Sequence, residues 1–191
     1  MDSNKETNEL VAAAKEGDNR AFEELVRQTY ADTYTLAFRL VGDEEDARDV
    51  VQETYLRAHK GLKKFRGDAQ LSTWLHRITA NCANTYLGRR GRHRHDQLSD
   101  DFEMADVEPR HDPALQADMG DLRSSLVNAL MDLPPKLRTV VVLRDIYDLS
   151  HDAIAEELDI SESAAKVRLH RARKQLRETL YPLGKEQAHA V

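Results

Sequence analysis

The stretch SHDAIAEELDISESAAKVRLHRARKQLR, from Ser150 to Arg177, decides how this chain is read. Ser150 can cap a first helix that carries Ile154, Ala155 and Leu158 on one side. The run Leu158-Asp159-Ile160-Ser161 breaks that helix, and Ser161 is a second N-cap candidate for a helix starting at Glu162. Two helices joined by so short a turn fit a helix-turn-helix. At about 100° per residue, Ala165, Leu169, Ala172 and Leu176 form one narrow stripe, which must be the packed side. Ser163, Val167, His170, Arg171 and Lys174 fall opposite, with Lys166 and Arg177 on one edge and Arg168 and Arg173 flanking the stripe. Six Lys and Arg stand against one acidic residue between Glu162 and Arg177. A charge run is usually a solvated face. Here the caps, the turn and the one-sided charge agree, and an outward basic face on the second helix is what major-groove reading requires.

Outward from that stretch, the charge is strongly sorted along the chain. The net charge is −6 over 191 residues. Residues 61–95 carry eight basic groups against one acidic, while residues 96–121 carry nine acidic against one basic. Residues 1–60 are net acidic and residues 122–191 nearly balanced. With screening over about 8 Å at physiological salt, these local surfaces matter more than the total. Aromatic residues are 6% of the chain, and only eight Gly and five Pro are present, which favours helical bundles over a turn-rich β fold. One cysteine, Cys82, allows no internal disulfide and suits a reducing cytoplasm. No apolar run of about eighteen residues exists, and no basic-then-apolar start is seen, so neither a membrane span nor a signal peptide is expected.

Taken in order, residues 1–7 are polar and expected to fray, and Asn8 to Glu16 make a short helix that stops at Gly17. A long helix follows Asp18 or Asn19, with Phe22, Leu25, Val26, Leu36, Ala37 and Leu40 at helical spacing, and Gly42 ends it. Asp43 can cap the next helix, whose apolar set is Ala47, Val50, Val51, Thr54, Tyr55, Ala58 and Leu62. Glu44, Glu45 and Asp46 suit its positive N-terminal end, each worth about a few tenths of a kcal/mol. Asp49, Gln52 and Glu53 sit too far along for that explanation and could form a docking face. The basic stretch from Lys63 to Gln70 breaks periodicity and reads as a loop. Leu71 to Gly88 is a helix with Leu71, Trp74, Leu75, Ile78, Cys82 and Tyr86 on its apolar side, closed by Arg89, Arg90, Arg92 and Arg94. A basic loop beside a helix bearing Arg77, Asn81 and Asn84 suits a single strand of nucleic acid. Trp74 fits core better than a stacking platform, and Phe65 can equally anchor its loop. Asp96 to Asp121 is acidic, contains Pro109 and Pro113, and has the composition of a linker. Its twenty-six residues could span at most about 90 Å. Leu122 to Leu133 is helical, Pro134-Pro135 stops it, and Pro135 can open the next helix. The three consecutive valines from Val140 are read as helix, because a lone strand would have no partner.

On these residues the chain resembles the extracytoplasmic-function sigma factors of bacterial RNA polymerase. The marks in the first half are Asp46, Asp49, Gln52 and Glu53 in a D-x-x-D-x-x-Q-E run, F-R-G-D at Phe65 to Asp68, T-W-L-x-R-I at Thr73 to Ile78, and Asn81. In the second half they are LPPKLRTVVVLRDIYDLS, Leu133 to Ser150, ahead of the helix-turn-helix, and RLHRARKQL, Arg168 to Leu176, at its end. The resemblance covers about residues 18 to 180 and implies an all-α fold of two small bundles. Residues 1–95 would be the family's domain 2, 96–121 a flexible linker, 122–184 domain 4, and 185–191 a disordered tail.

The resemblance also implies roles. Asp46, Asp49, Gln52 and Glu53 would grip the clamp helices of the polymerase β′ subunit, and the second half would meet the β flap. Lys63, Lys64, Phe65, Arg66, Gly67, Asp68, Trp74, Arg77, Asn81 and Asn84 would capture the non-template strand of the minus-ten element, holding a base turned out of the stack, while Arg89 and Arg90 bind phosphates. Ser161, Ser163, Ala164, Lys166, Val167, His170, Arg171 and Lys174 would read the minus-thirty-five duplex. The acidic linker would thread the RNA exit path, and an anti-sigma factor is an expected partner. No cofactor or metal is expected. The chain departs from the family at Ala153-Ile154-Ala155, where an acidic residue is usual, and at Ala164-Ala165-Lys166-Val167-Arg168, where T-V-K-S-R is usual. These bear on which minus-thirty-five sequence is read; Val167 could contact a thymine methyl.

Two other function classes compete with this reading. For an enzyme, His93, His95 and His111 could be imagined as ligands, but no rigid scaffold fixes them. No phosphate-cradling loop, nucleophile elbow or His-Glu-x-x-His helix is present either. A helix-turn-helix regulator that does not replace sigma would bind duplex DNA but could not make core polymerase initiate.

Overall fold

The computed structural model describes residues 3–67, 69–97 and 121–181, and every regular element among them is helical. Helix α1 spans Ser3–Lys15, so the expected frayed start is helical from its third residue. Glu6 in the first turn complements the helix dipole, and buried Val11 docks the helix against Leu25, Leu62 and Phe65. Helix α2, Asn19–Val41, is capped by Asp18, whose carboxylate accepts from the backbone N–H groups of Arg20 and Ala21 at 2.9 and 3.3 Å. It ends at Gly42, left-handed at φ +80°, where a Cβ would also meet Met131 Sδ at 2.8 Å. Helix α3, Glu44–Gly61, is capped in the same way by Asp43.

A tight turn at Leu62–Lys64 follows α3. Helix α4 then runs Leu71–Gln97, because Gly88 sits inside it rather than ending it. The second half has α5 at Asp121–Met131 and α6 at Pro135–Val141, the latter opened by Pro135 as its sequence requires. The three valines are helical, and a π-type turn over Val142–Ile146 continues them. Ser150 and Ser161 cap α7, His151–Glu157, and α8, Glu162–Leu180, accepting from Ala153 N and Ala164 N, each at 3.1 Å. Asp159, at φ +50°, makes the turn between them. Asp68, the acidic stretch from residue 98 to 120 and the tail from residue 182 lie outside the described residues.

Two apolar clusters hold these helices. The smaller joins α1 to the first half through Val11, Leu25, Ala58, Leu62, Phe65, Leu71 and Leu75. The larger runs across both halves without a break. Leu36, Leu40, Val50 and Ala83 of the first half share it with Leu133, Val140, Leu143, Ile154 and Leu169 of the second. The two helical groups are therefore packed on each other. Buried threonines cost little inside this core, because Thr54, Thr79 and Thr139 each donate to the carbonyl four residues back, at 2.7, 2.8 and 2.9 Å.

Arg138 is the one buried cation of the shared core among the described residues. It is 8% exposed. Its Nη1 donates to the Leu40 carbonyl at the end of α2 at 3.0 Å, and its Nη2 to the carbonyls of Met131 and Leu133 at 2.7 and 3.1 Å. Burial pulls its guanidinium down to about 10, which still leaves it charged at neutral pH. Arg138 stitches the halves together. The signal for it in the sequence is a lone arginine beside a continuous apolar run.

Candidate nucleic-acid interface

The apolar stripe of α8 packs inward as its spacing dictates: Ala165, Leu169 and Ala172 are buried and Leu176 partly so. The outward face then holds Ser163, Lys166, Val167, His170, Arg171 and Lys174, all exposed, with Val167 at 50%. Val167 thus stands exposed among these cations. Ser161 is occupied as the cap, and Ala164 is half-buried beside it. Lys166 pairs with Glu162 at 2.8 Å along the helix, holding that carboxyl below its usual range. Lys174 lies 3.9 Å from Glu178. Arg173 is bound at both ends by Asp145, at 2.9 and 2.5 Å. His170 and Arg171 make no ion pair among the described residues.

On α3 the four predicted docking residues separate. Asp49, Gln52 and Glu53 are exposed on one face, with exposed Leu56 one turn further along. Asp46 is 8% exposed and turned inward. Tyr86 donates to its Oδ1 at 2.5 Å and Arg90 pairs with its Oδ2. That carboxylate pushes the Tyr86 phenol up to about 12. Asp46, expected on the docking face, ties α3 to α4 here, with Arg90, expected at phosphates, as its partner.

The basic loop divides in the same way. Lys63, Lys64, Arg66 and Gly67 are exposed, and Gly67 needs its left-handed φ of +82°. Phe65 is buried, packed on Trp74 with ring centroids 5.0 Å apart and beneath the Lys15 ammonium at 5.7 Å. Lys15 also donates to the Phe65 carbonyl. Phe65 and Trp74 thus pack together beneath the loop, and α1 is the element that clamps it. Arg89 is exposed on α4.

Arg77, Asn81 and Asn84 follow each other along one side of α4, and that side faces the second half. Arg77 Nη1 lies 3.6 Å from Glu156 Oε2, and Asn81 Nδ2 donates to Glu157 Oε1. Thr139 Oγ1 lies 3.1 Å from Asn84 Oδ1 and shares its proton with the Pro135 carbonyl. Burial pushes the Glu157 carboxyl above its usual range, with Glu156 adding to the rise and Arg77 and Asn81 opposing it. Arg77 Nε is buried without an acceptor among the described residues.

Sequence reasoning missed a second bridge at this junction. His76 lies 2.6 Å from Asp32 and edge-on to Tyr147, whose hydroxyl accepts from Arg39 at 3.2 Å. Among the described residues no group of His, Cys, Asp and Glu could hold a metal, and no helix is long and apolar enough to cross a membrane.

Comparison with known proteins adds to this geometry. Residues 25–93 match the family model for sigma-70 region 2, and residues 123–176 match that for sigma-70, region 4. The chain is 37% identical over 180 residues to the ECF RNA polymerase sigma factor SigE of Mycolicibacterium smegmatis, covering 92% of this chain and 68% of that protein. It is 32% identical over 187 residues to the RNA polymerase sigma-H factor of Pseudomonas aeruginosa, covering 93% and 95%. Among solved structures, CnrH in complex with the cytosolic domain of CnrY is similar over 94% of this chain and 99% of that one, at 26% identity and a TM-score of 0.60. The sigma factor RpoE of Bartonella quintana, solved with the anti-sigma factor NepR, shares the fold, with a TM-score of 0.63 at 24% identity over 83% and 96% of the two chains.

Proposed function

This chain belongs to the extracytoplasmic-function sigma factors and directs promoter recognition by RNA polymerase, and we propose that three of its surfaces divide that work. Asp49, Gln52 and Glu53, with Leu56 beside them, dock on the β′ clamp helices of the core enzyme. The loop cations Lys63, Lys64 and Arg66 track the phosphates of the melted non-template strand, while Arg77, Asn81 and Asn84 meet its bases. The outward face of α8 enters the major groove at the minus-thirty-five element, with Arg171, His170 and Lys174 reaching base edges or phosphates and Val167 a methyl group.

The observation that carries this reading is the sidedness of α8. Lys166, Arg171, Lys174 and Val167 stand outward together, opposite a stripe buried to the last alanine. The protein acts by binding, in the cytoplasm where polymerase works, and a protein partner of the anti-sigma kind restrains it. The similarity to CnrH, solved with the cytosolic domain of a second protein, supports such a partner. Run-off transcription with purified core enzyme tests the whole: the chain should make core initiate at a cognate promoter found by selection from genomic fragments. DNA binding without initiation on any fragment would instead make it a helix-turn-helix regulator.

A further inference from the structure

We propose that His170 binds the minus-thirty-five duplex as an imidazolium, so that promoter recognition by this chain takes up a proton. The inference rests on the groove-reading role of α8. His170 is exposed on the outward face of that helix, opposite the buried stripe of Ala165, Leu169 and Ala172. Lys166 and Lys174 stand one turn to either side of it, and each already faces a carboxylate, Glu162 at 2.8 Å and Glu178 at 3.9 Å. Arg173, on the flank, is committed to Asp145. Of the cations on the outward face, Arg171 alone has no counterion among the described residues. A proton on His170 adds a second uncommitted charge to that face.

The surroundings leave that proton to the DNA. Helices α5, α6 and α7 all pack against α8. The titratable groups that these elements and the turn after α6 bring to it are two. Asp145 is taken by Arg173, and His151 acts on Glu162 at the start of the helix. No carboxylate pairs with His170 among the described residues, so the protein itself supplies no partner for the imidazolium. A duplex supplies many, as phosphate oxygens and as guanine O6 and N7 in the major groove. An anionic or hydrogen-bond-accepting neighbour favours the charged form of an imidazole, whose ordinary titration lies between about pH 5 and 8. The complex therefore holds the proton more tightly than the free chain, and affinity rises as pH falls through that range.

The test is fluorescence anisotropy of the full chain on a fluorescein-labelled duplex of a selected promoter, at fixed ionic strength and at about pH 8.5 and about pH 6. On acidification the parent should gain at least about fivefold in affinity relative to H170Q, about tenfold being the ceiling for a one-unit difference in proton affinity. The Gln amide keeps a donor at this position but takes up no proton. H170K is charged at both pH values, so it should lose the pH dependence and stay within about twofold of the parent's affinity at pH 6. H151Q, which removes the histidine at the start of α7, should follow the parent. A gain of equal size on a scrambled duplex, with the salt slope steeper by about 0.9 at the lower pH, assigns the acceptor to a phosphate. A gain confined to the selected promoter assigns it to a base edge. Equal pH courses in the parent and H170Q overturn the proposal. R171A separates it from the groove reading. If R171A weakens binding while the parent and H170Q share one pH course, the proton contact alone falls. If neither R171A nor H170K changes binding, α8 does not read the duplex and the proposal falls with that reading.

Discussion

Asp46 and Asp49 show how much a single turn of helix decides. Both oxygens of Asp46 are taken by Tyr86 and Arg90, whereas Asp49 stands exposed. Asp46→Ala should lower the stability of the isolated chain by about 1 kcal/mol in urea unfolding, since it strips two hydrogen bonds of which one partner is half exposed. Asp49→Ala with Gln52→Ala should leave the unfolding midpoint within about 0.5 kcal/mol of the parent and weaken pull-down of core polymerase. The reverse pattern would return Asp46 to the docking face. The two aspartates look alike in the sequence because both sit beside the apolar stripe of α3. What separates them is Tyr86 and Arg90, some forty positions downstream, and no local pattern reports a partner at that distance.

Helices α3, α7 and α8 begin where a side chain within three residues caps them, and for that reason their starts were legible. Asp43, Ser150 and Ser161 each satisfy N–H groups of the turn they open. The buried stripe of α8 was equally plain from its period. Within that helix the arginines are not equivalent. Arg171→Ala should weaken binding to a promoter duplex by about 1–3 kcal/mol if it reads a base edge, while Arg173→Ala should cost less in binding because Asp145 already holds Arg173. Fluorescence anisotropy on the same duplex separates the two, and equal losses would place both on the groove. Helix α1 could not be assigned a purpose from its sequence, since Lys15 meets Phe65 across fifty residues. Lys15→Met should loosen the loop and reduce permanganate-detected melting at minus ten while leaving minus-thirty-five binding unchanged, and Lys15→Arg should restore much of the loss.

At the scale of the molecule, the continuous core across both halves predicts one cooperative unfolding transition. Circular dichroism at 222 nm and the fluorescence of Trp74, which lies in the first half, should give the same midpoint. Two separated transitions would mean that the halves fold and stand apart. The all-α architecture and the order of the two helical groups were readable from composition, period and motif. Their embrace was not. It depends on pairs such as Asn81 with Glu157, separated by 76 positions, and on faces of α4 whose Arg and Asn read equally well as awaiting DNA. Arg138 gives that embrace a thermodynamic character of its own. Its guanidinium spans from its own half to the last turn of α2 through carbonyls in a buried setting, so the halves cannot part without taking the Leu40 acceptor away from a buried cation. Water has to flood the seam as they part, and solutes excluded from protein surfaces should oppose that flooding. Sucrose should accordingly slow hydrogen exchange along the seam.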